Sequence, residues 1–182
     1  WEMVHLVRGL ARSEENHSVN GMIIDETTNT MYVAVGGFTN AGSPSNNFAF
    51  ITEYALSAAI LQIDLDMINS MDILGSGDNK YVYDLPTLDD PTRPNANGID
   101  NPNAVGYDGV DVNDPWGGND GLNQAKLLNS GPVQMFSPGY RNSFDVVMTE
   151  SGNFYTIDNG PNGGWGGHPA NEADYPVDTN GV

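Results

Sequence analysis

The sequence contains no cysteine, which removes disulfides and thiolate metal centres from the chemistry open to it. Basic residues are also scarce. Six Lys and Arg stand against 24 Asp and Glu, a formal net charge of -18 at pH 7. A surface of that sign repels phosphate backbones and anionic headgroups, so nucleic acid and membrane surfaces are not expected partners. No apolar run approaches the ~20 residues of a membrane-spanning helix. Residues Trp1 to Leu10 lack the basic start and long apolar core of a signal peptide, and the chain reads as starting inside a mature protein.

Helix-favouring sequence is likewise in short supply. The 22 glycines and 11 prolines, with abundant Asn and Asp, favour turns and caps over helix interiors. At 182 residues the chain is long enough for one core, since a chain of roughly 150 residues buries about 70% of its unfolded surface. These features together predict an all-β unit of short strands and loops. The acidic excess suits hard divalent cations or a salty medium, and a secreted, extracellular or periplasmic setting is expected.

The clearest strand signal lies between Gly21 and Gly37. Met22-Ile23-Ile24 and Met31-Tyr32-Val33-Ala34-Val35 flank the polar stretch Asp25 to Asn29, the pattern of a β-hairpin. The pattern returns where Phe144 to Met148 leads through Thr149 to Asn153 into Phe154 to Ile157. Overlaid, Ile24 falls on Val147, Tyr32 on Tyr155 and Gly37 on Gly160. The offset of about 120 residues exceeds the ~40–50 of one propeller blade, so further strands must intervene. Ala58 to Leu65 and Val133 to Phe136 are the candidates. Met22, Met31, Met135 and Met148 read as core filler.

From Gly75 to Lys126 the composition shifts to Asp, Asn, Pro and Gly, and this stretch reads as one long insertion. Inside it, Asp108, Asp111, Asn113 and Asp114, followed by Asn119 and Asp120, set oxygen ligands on a glycine-punctuated backbone. Ca²⁺ takes six to eight hard oxygens from such flexible loops, although the spacing is not that of an EF-hand. Trp116 and Trp165 read as packing under loops, and His5 and His168 have no partner set of a metal ligand.

A second group of residues flanks the two hairpins. His17 precedes the first, Arg141-Asn142 precedes the second, and Asn159-Gly160-Pro161-Asn162 follows it. If the repeated hairpins stand side by side, these segments converge on one mouth. A neutral imidazole can take a proton from a hydroxyl, Arg and Asn can hold an anionic planar ligand, and carbonyls at Gly-Pro can coordinate a cation.

Asn16-His17-Ser18-Val19-Asn20-Gly21, Ser137 to Phe144 and Asp158-Asn159-Gly160-Pro161-Asn162 resemble, in order and placement, the soluble quinoprotein glucose/sorbosone dehydrogenases. That resemblance implies a six-bladed β-propeller that binds pyrroloquinoline quinone (PQQ) with Ca²⁺ and oxidises sugars to lactones. It implies that His17 is the base for the sugar hydroxyl, that Arg141 and Asn142 contact the quinone, and that the carbonyls of Gly160 and Pro161 help hold Ca²⁺. The matching stretches are Ser13 to Gly42 and Val133 to Gly164. Three positions depart from the pattern: Asn16 replaces an acidic residue before the base, Ser143 replaces a proline, and Gly163 to His168 replaces an acidic cluster. The expected organisation is therefore about two to three blades over residues 1–182, the insertion spanning about 75–126, with the remaining blades of the same propeller supplied outside this chain and a sugar or glycan as ligand. The alternative is a non-catalytic, calcium-stabilised propeller module of a large extracellular protein.

Overall fold

A computed structural model describes residues 1–13, 17–40, 42, 53–86 and 125–162. Over these residues the protein is mostly strand. Eight strands run in the order β1 (His5–Arg8), β2 (Val19–Asp25), β3 (Thr30–Val35), β4 (Ala59–Asp64), β5 (Tyr81–Asp84), β6 (Val133–Pro138), β7 (Ser143–Met148) and β8 (Phe154–Asp158). The described helical structure is limited to α1 (Leu65–Asn69) and a short 3-10 turn at Gly77–Asn79. The calcium-ligand candidates Asp108, Asp111, Asn113, Asp114, Asn119 and Asp120 lie outside the described residues, as do Trp116, Trp165 and His168.

Strands β2, β3, β4 and β6 form one antiparallel sheet in that order. Its first hairpin closes because Asp25 accepts from the backbone N–H of Thr27 and from the hydroxyl of Thr28, at 2.9 and 2.7 Å. Such side-chain bonds to the turn favour it over continued strand. Asn29 completes the reversal in the left-handed region (φ 48), which Asn tolerates better than most side chains. The chain enters α1 directly from β4, with Asp64 capping the helix by accepting from the Met67 N–H at 2.9 Å.

Both faces of this sheet are covered, which explains why β3 and β4 read as near-continuous apolar runs. Val33, Val35, Ala59, Leu61, Ile63 and Val133 face one core, filled from the other side by Leu65, Ile68, Val82 and Leu85. The alternate residues Ala34 and Ile60 face a second, smaller core with Val146, flanked by Ile23, Tyr32 and Phe154. There the Tyr32 ring meets those of Phe136 and Phe154 edge-on, with centroids 4.8 and 5.1 Å apart. Met31 and Met135 pack on the first core. Met22 does not: it is 58% exposed on the outermost strand β2, which corrects its assignment as core filler. An edge strand lacks the neighbour that would cover it.

Two strands escaped the sequence reading. β1 and β5 pair in parallel, His5 opposite Tyr81 and Arg8 opposite Asp84. The Arg8 guanidinium donates to the Asp84 carboxylate at 2.6 Å and lies 3.4 Å from the centre of the Tyr81 ring. The stretch from 75 to 126, read as one insertion, thus contributes a strand of its own, and it buries Val82 and Leu85 in the main core.

β7 and β8 form the second hairpin, packed against β2 and β3. The two hairpins share more than sequence. Each has a register shift at the same end, between Val19 and Met22 in the first and between Ser143 and Asp145 in the second. A bulge bends its strand and re-aims the side chains around it. The bulges face each other, and only glycine fits at Gly21, where a Cβ would stand 2.7 Å from the Asp145 Cα. This close approach brings the chain before β2 to the chain before β7.

Candidate functional site

His17 lies just before β2 and is 4% exposed. Its backbone N–H donates to the Ser13 hydroxyl at 2.6 Å. Its Nδ1 stands 2.9 Å from the carbonyl oxygen of Gly37. A carbonyl can only accept, so Nδ1 carries the proton and the lone pair of the neutral ring resides on Nε2. Burial lowers the pKa of His17, and the positive charge of Arg141 lowers it further, while the Gly37 carbonyl and the carboxylates of Glu53 and Asp158 act the other way. The net direction keeps the ring neutral at physiological pH.

Gly36 and Gly37 follow β3 and hold the site together. A Cβ on Gly36 would sit 2.5 Å from the His17 Cβ and 2.6 Å from Asn142 Oδ1, so only a glycine leaves room for both. The N–H of Gly37 donates to the Arg141 carbonyl at 2.8 Å. The segment 36–40 is therefore a wall shared by the histidine on one side and Arg141-Asn142 on the other.

Arg141 and Asn142 are fixed through their backbones by one carboxylate. Asp158, at the end of β8, accepts from the Arg141 N–H at 3.1 Å and from the Asn142 N–H at 2.8 Å. Asn20 Nδ2 donates to Asn142 Oδ1 at 2.7 Å and to the Ser143 carbonyl at 2.8 Å. Arg141 Nε donates to Asn40 Oδ1 at 2.7 Å. Among the described residues no carboxylate forms an ion pair with this guanidinium. Its terminal nitrogens are thus available to an anionic or planar polar group.

Gly160 and Pro161 lie on the exposed segment that leaves β8. A Cβ at Gly160 would meet nothing within 4 Å. The neighbouring Asn162 joins this segment to the site, donating its N–H to Asn40 Oδ1 at 3.0 Å, and its carbonyl accepts from Asn40 Nδ2 at 3.1 Å. Asn40 is therefore the hub between Arg141 and the Gly-Pro segment. Among the described residues no group of three or more His, Asp or Glu side chains gathers as a metal site. Asp158, the nearest carboxylate in sequence, has both oxygens engaged by backbone N–H groups.

The structure thus brings His17, Arg141 and Asn142 to one place, with Gly160 and Pro161 tethered beside them. It adds Asn40 and Glu53, which sequence reasoning passed over, and gives Asp158, noted there only as part of a motif, the role of clamping the Arg141 and Asn142 backbone. A cavity of about 300 Å³ opens at the opposite end of the sheet between Thr30, Gln62, Asp64, Met67, Gly131 and Gln134. Two of its polar side chains are engaged locally: Gln134 donates to the Leu128 and Gly131 carbonyls and Asp64 caps α1.

The class that fold and site define is an all-β protein with a buried neutral histidine near an arginine that forms no ion pair among the described residues. Comparison with protein-family models, with curated proteins and with solved structures finds no match in any of the three. No described helix is long and apolar enough to cross a membrane.

Proposed function

We propose that the chain is part of a β-propeller that oxidises a sugar hydroxyl, with PQQ as the electron acceptor and His17 as the base. The observation that carries the reading is a buried imidazole held neutral, with its Nδ1 paired to the Gly37 carbonyl and the Arg141 charge within electrostatic reach. The sheet β2-β3-β4-β6 is the meander expected of one blade, and the repeated hairpin β7-β8 supports reading it as the start of the next.

The residues present fit an anionic, planar cofactor. Arg141 offers terminal guanidinium nitrogens, held in place by Asn40, and Asn142 offers its amide from a fixed backbone. The quinone, when bound, supplies a two-electron acceptor. Arg141 and Asn142 bind and orient; His17 takes the hydroxyl proton at Nε2, and its burial keeps the ring neutral and ready to do so. The fit to Ca²⁺ rests on less, since Gly160 and Pro161 offer two carbonyls against the six to eight oxygens the ion takes.

Reconstituting the full-length protein with the quinone and Ca²⁺, and following dye reduction over a panel of sugars, tests the proposal. Quinone-dependent turnover by at least one aldose is the expected result. Failure to bind the quinone at micromolar concentrations refutes it.

A further inference from the structure

The loop between β3 and β4 contains a carboxylate with an unusual load. Glu53 Oε1 accepts from the Thr39 N–H at 2.7 Å and the Thr39 hydroxyl at 2.8 Å. Oε2 accepts from the Phe38 N–H at 3.0 Å and the Ser57 hydroxyl at 2.6 Å. Each oxygen therefore serves one backbone and one hydroxyl donor. Such charge-assisted bonds are roughly twice as strong as neutral ones. Gly37 lies directly against this group, where a Cβ would come 2.6 Å from Oε1.

The chain beyond Glu53 is bent into shapes that need such a hold. Leu56 and Ala58 both adopt left-handed backbone, at φ 70 and 50, and both are buried. Conformations of this kind are strained for residues other than glycine and persist only where the surroundings over-determine them. Ser57 accepts from the Tyr54 N–H at 3.1 Å, and the Ala58 N–H donates to the Gly36 carbonyl at 3.2 Å. The Ala58 carbonyl in turn accepts from Gly139 and Tyr140, at 2.9 and 3.1 Å, just before Arg141. One acidic side chain thus ties the 36–40 segment to the Ser57-Ala58 turn, whose Ala58 carbonyl holds the chain just before Arg141.

We propose that Glu53 is the positioning residue of this site: by gathering Phe38, Thr39 and Ser57 it holds the 36–40 segment in the shape that aims the Gly37 carbonyl at His17 Nδ1 and the Asn40 oxygen at Arg141. The inference rests on reading His17 as the base. Glu53 does not touch the imidazole ring's hydrogen bond; it acts through the segment between them. Its charge is one of three that reach His17, with Arg141 and Asp158.

The test is the tautomer of His17, read by long-range ¹⁵N–¹H correlation on the histidine-labelled chain and assigned with His17→Asn. In the parent chain the neutral ring is the Nδ1–H form. Glu53→Gln places an amide nitrogen against the Phe38 or Thr39 N–H, and the expected result is a loss of that form's predominance. Ser57→Ala, which removes one of the four donors, produces a smaller change in the same direction and decides the matter should Glu53→Gln fail to fold. Ile60→Ala, which weakens the core without touching the segment, leaves the tautomer as it was. An unchanged tautomer in folded Glu53→Gln, or an unchanged one in Ser57→Ala where Glu53→Gln does not fold, or an equal change in Ile60→Ala, overturns the proposal. Because no quinone or sugar enters this measurement, its failure is distinct from failure of the proposed activity.

Discussion

Arg141 Nε donates to Asn40 Oδ1 at 2.7 Å across 101 positions of sequence, and this bond joins the loop after the first hairpin to the loop before the second. The same Asn40 grips the backbone of Asn162 in both directions. Three loops that are distant in the chain therefore share one amide. A site so constructed is sensitive to small displacements of its walls, and the predictions below exploit that.

Replacing His17 by Asn retains a donor near the Gly37 carbonyl but removes the Nε2 lone pair. Loss of a general base lowers turnover by typically 10²- to 10⁴-fold. Quinone-dependent dye reduction with the full-length protein is expected to fall by about that factor, with far less change in the affinity for quinone. Undiminished turnover would remove His17 from the mechanism.

The buried imidazole also makes stability depend on pH. Its folded-state pKa lies below the ordinary value of 6.5, so the unfolded chain binds the proton more readily than the folded one. This contribution is complete above pH 6.5 and is lost as pH falls from there through the lowered folded value. Melting temperature plotted against pH should therefore drop less steeply between pH 7 and 5 in His17→Asn than in the parent. Parallel curves would contradict the assignment.

Gly36→Ala forces a methyl group to within 2.5 Å of the His17 Cβ and 2.6 Å of Asn142 Oδ1. Overpacking of this kind typically destabilises by about 1–3 kcal/mol. Gly160→Ala meets nothing within 4 Å and should leave the melting temperature as it is. Denaturant titration of the two variants side by side checks the contrast.

Ile60 is fully buried at the centre of the sheet, on the face that receives Val146. Its replacement by Ala is expected to cost about 2–5 kcal/mol. Chemical unfolding measures this directly. A cost below about 1 kcal/mol would mean that the β7-β8 hairpin does not close over that face.

Calcium bears on residues 108–120, where the Asp and Asn ligands are proposed. Added Ca²⁺ should raise the melting temperature and slow proteolysis between Asp108 and Asp120, and EGTA should reverse both. If neither changes, the proposal of a calcium loop is wrong.

Most of the strands were legible in the sequence because each has a local cause. β2, β3, β7 and β8 were marked by branched and aromatic runs around polar turns, and β4 and β6 by apolar stretches of strand length. β1 and β5 carried no such mark: each is four residues long, and their parallel pairing joins segments with nothing between them to announce it. At the site, His17, Arg141 and Asn142 stood out by placement beside the repeated hairpins. Asn40 and Glu53 did not, because a single polar residue in a loop has no periodicity, and its partners are set by tertiary approach alone.

The ribbon of β1 and β5 also bears on the order in which the molecule assembles. Arg8 meets Asp84 across 76 positions, whereas β2, β3 and β4 follow one another closely in the chain. Closing the longer loop costs more entropy, and four-residue strands return little for it. The β2-β3-β4 hairpins are therefore the early nucleus, and the ribbon is a late addition and the first part to fray. Native-state hydrogen exchange would show this as faster exchange at Val7 than at Leu61.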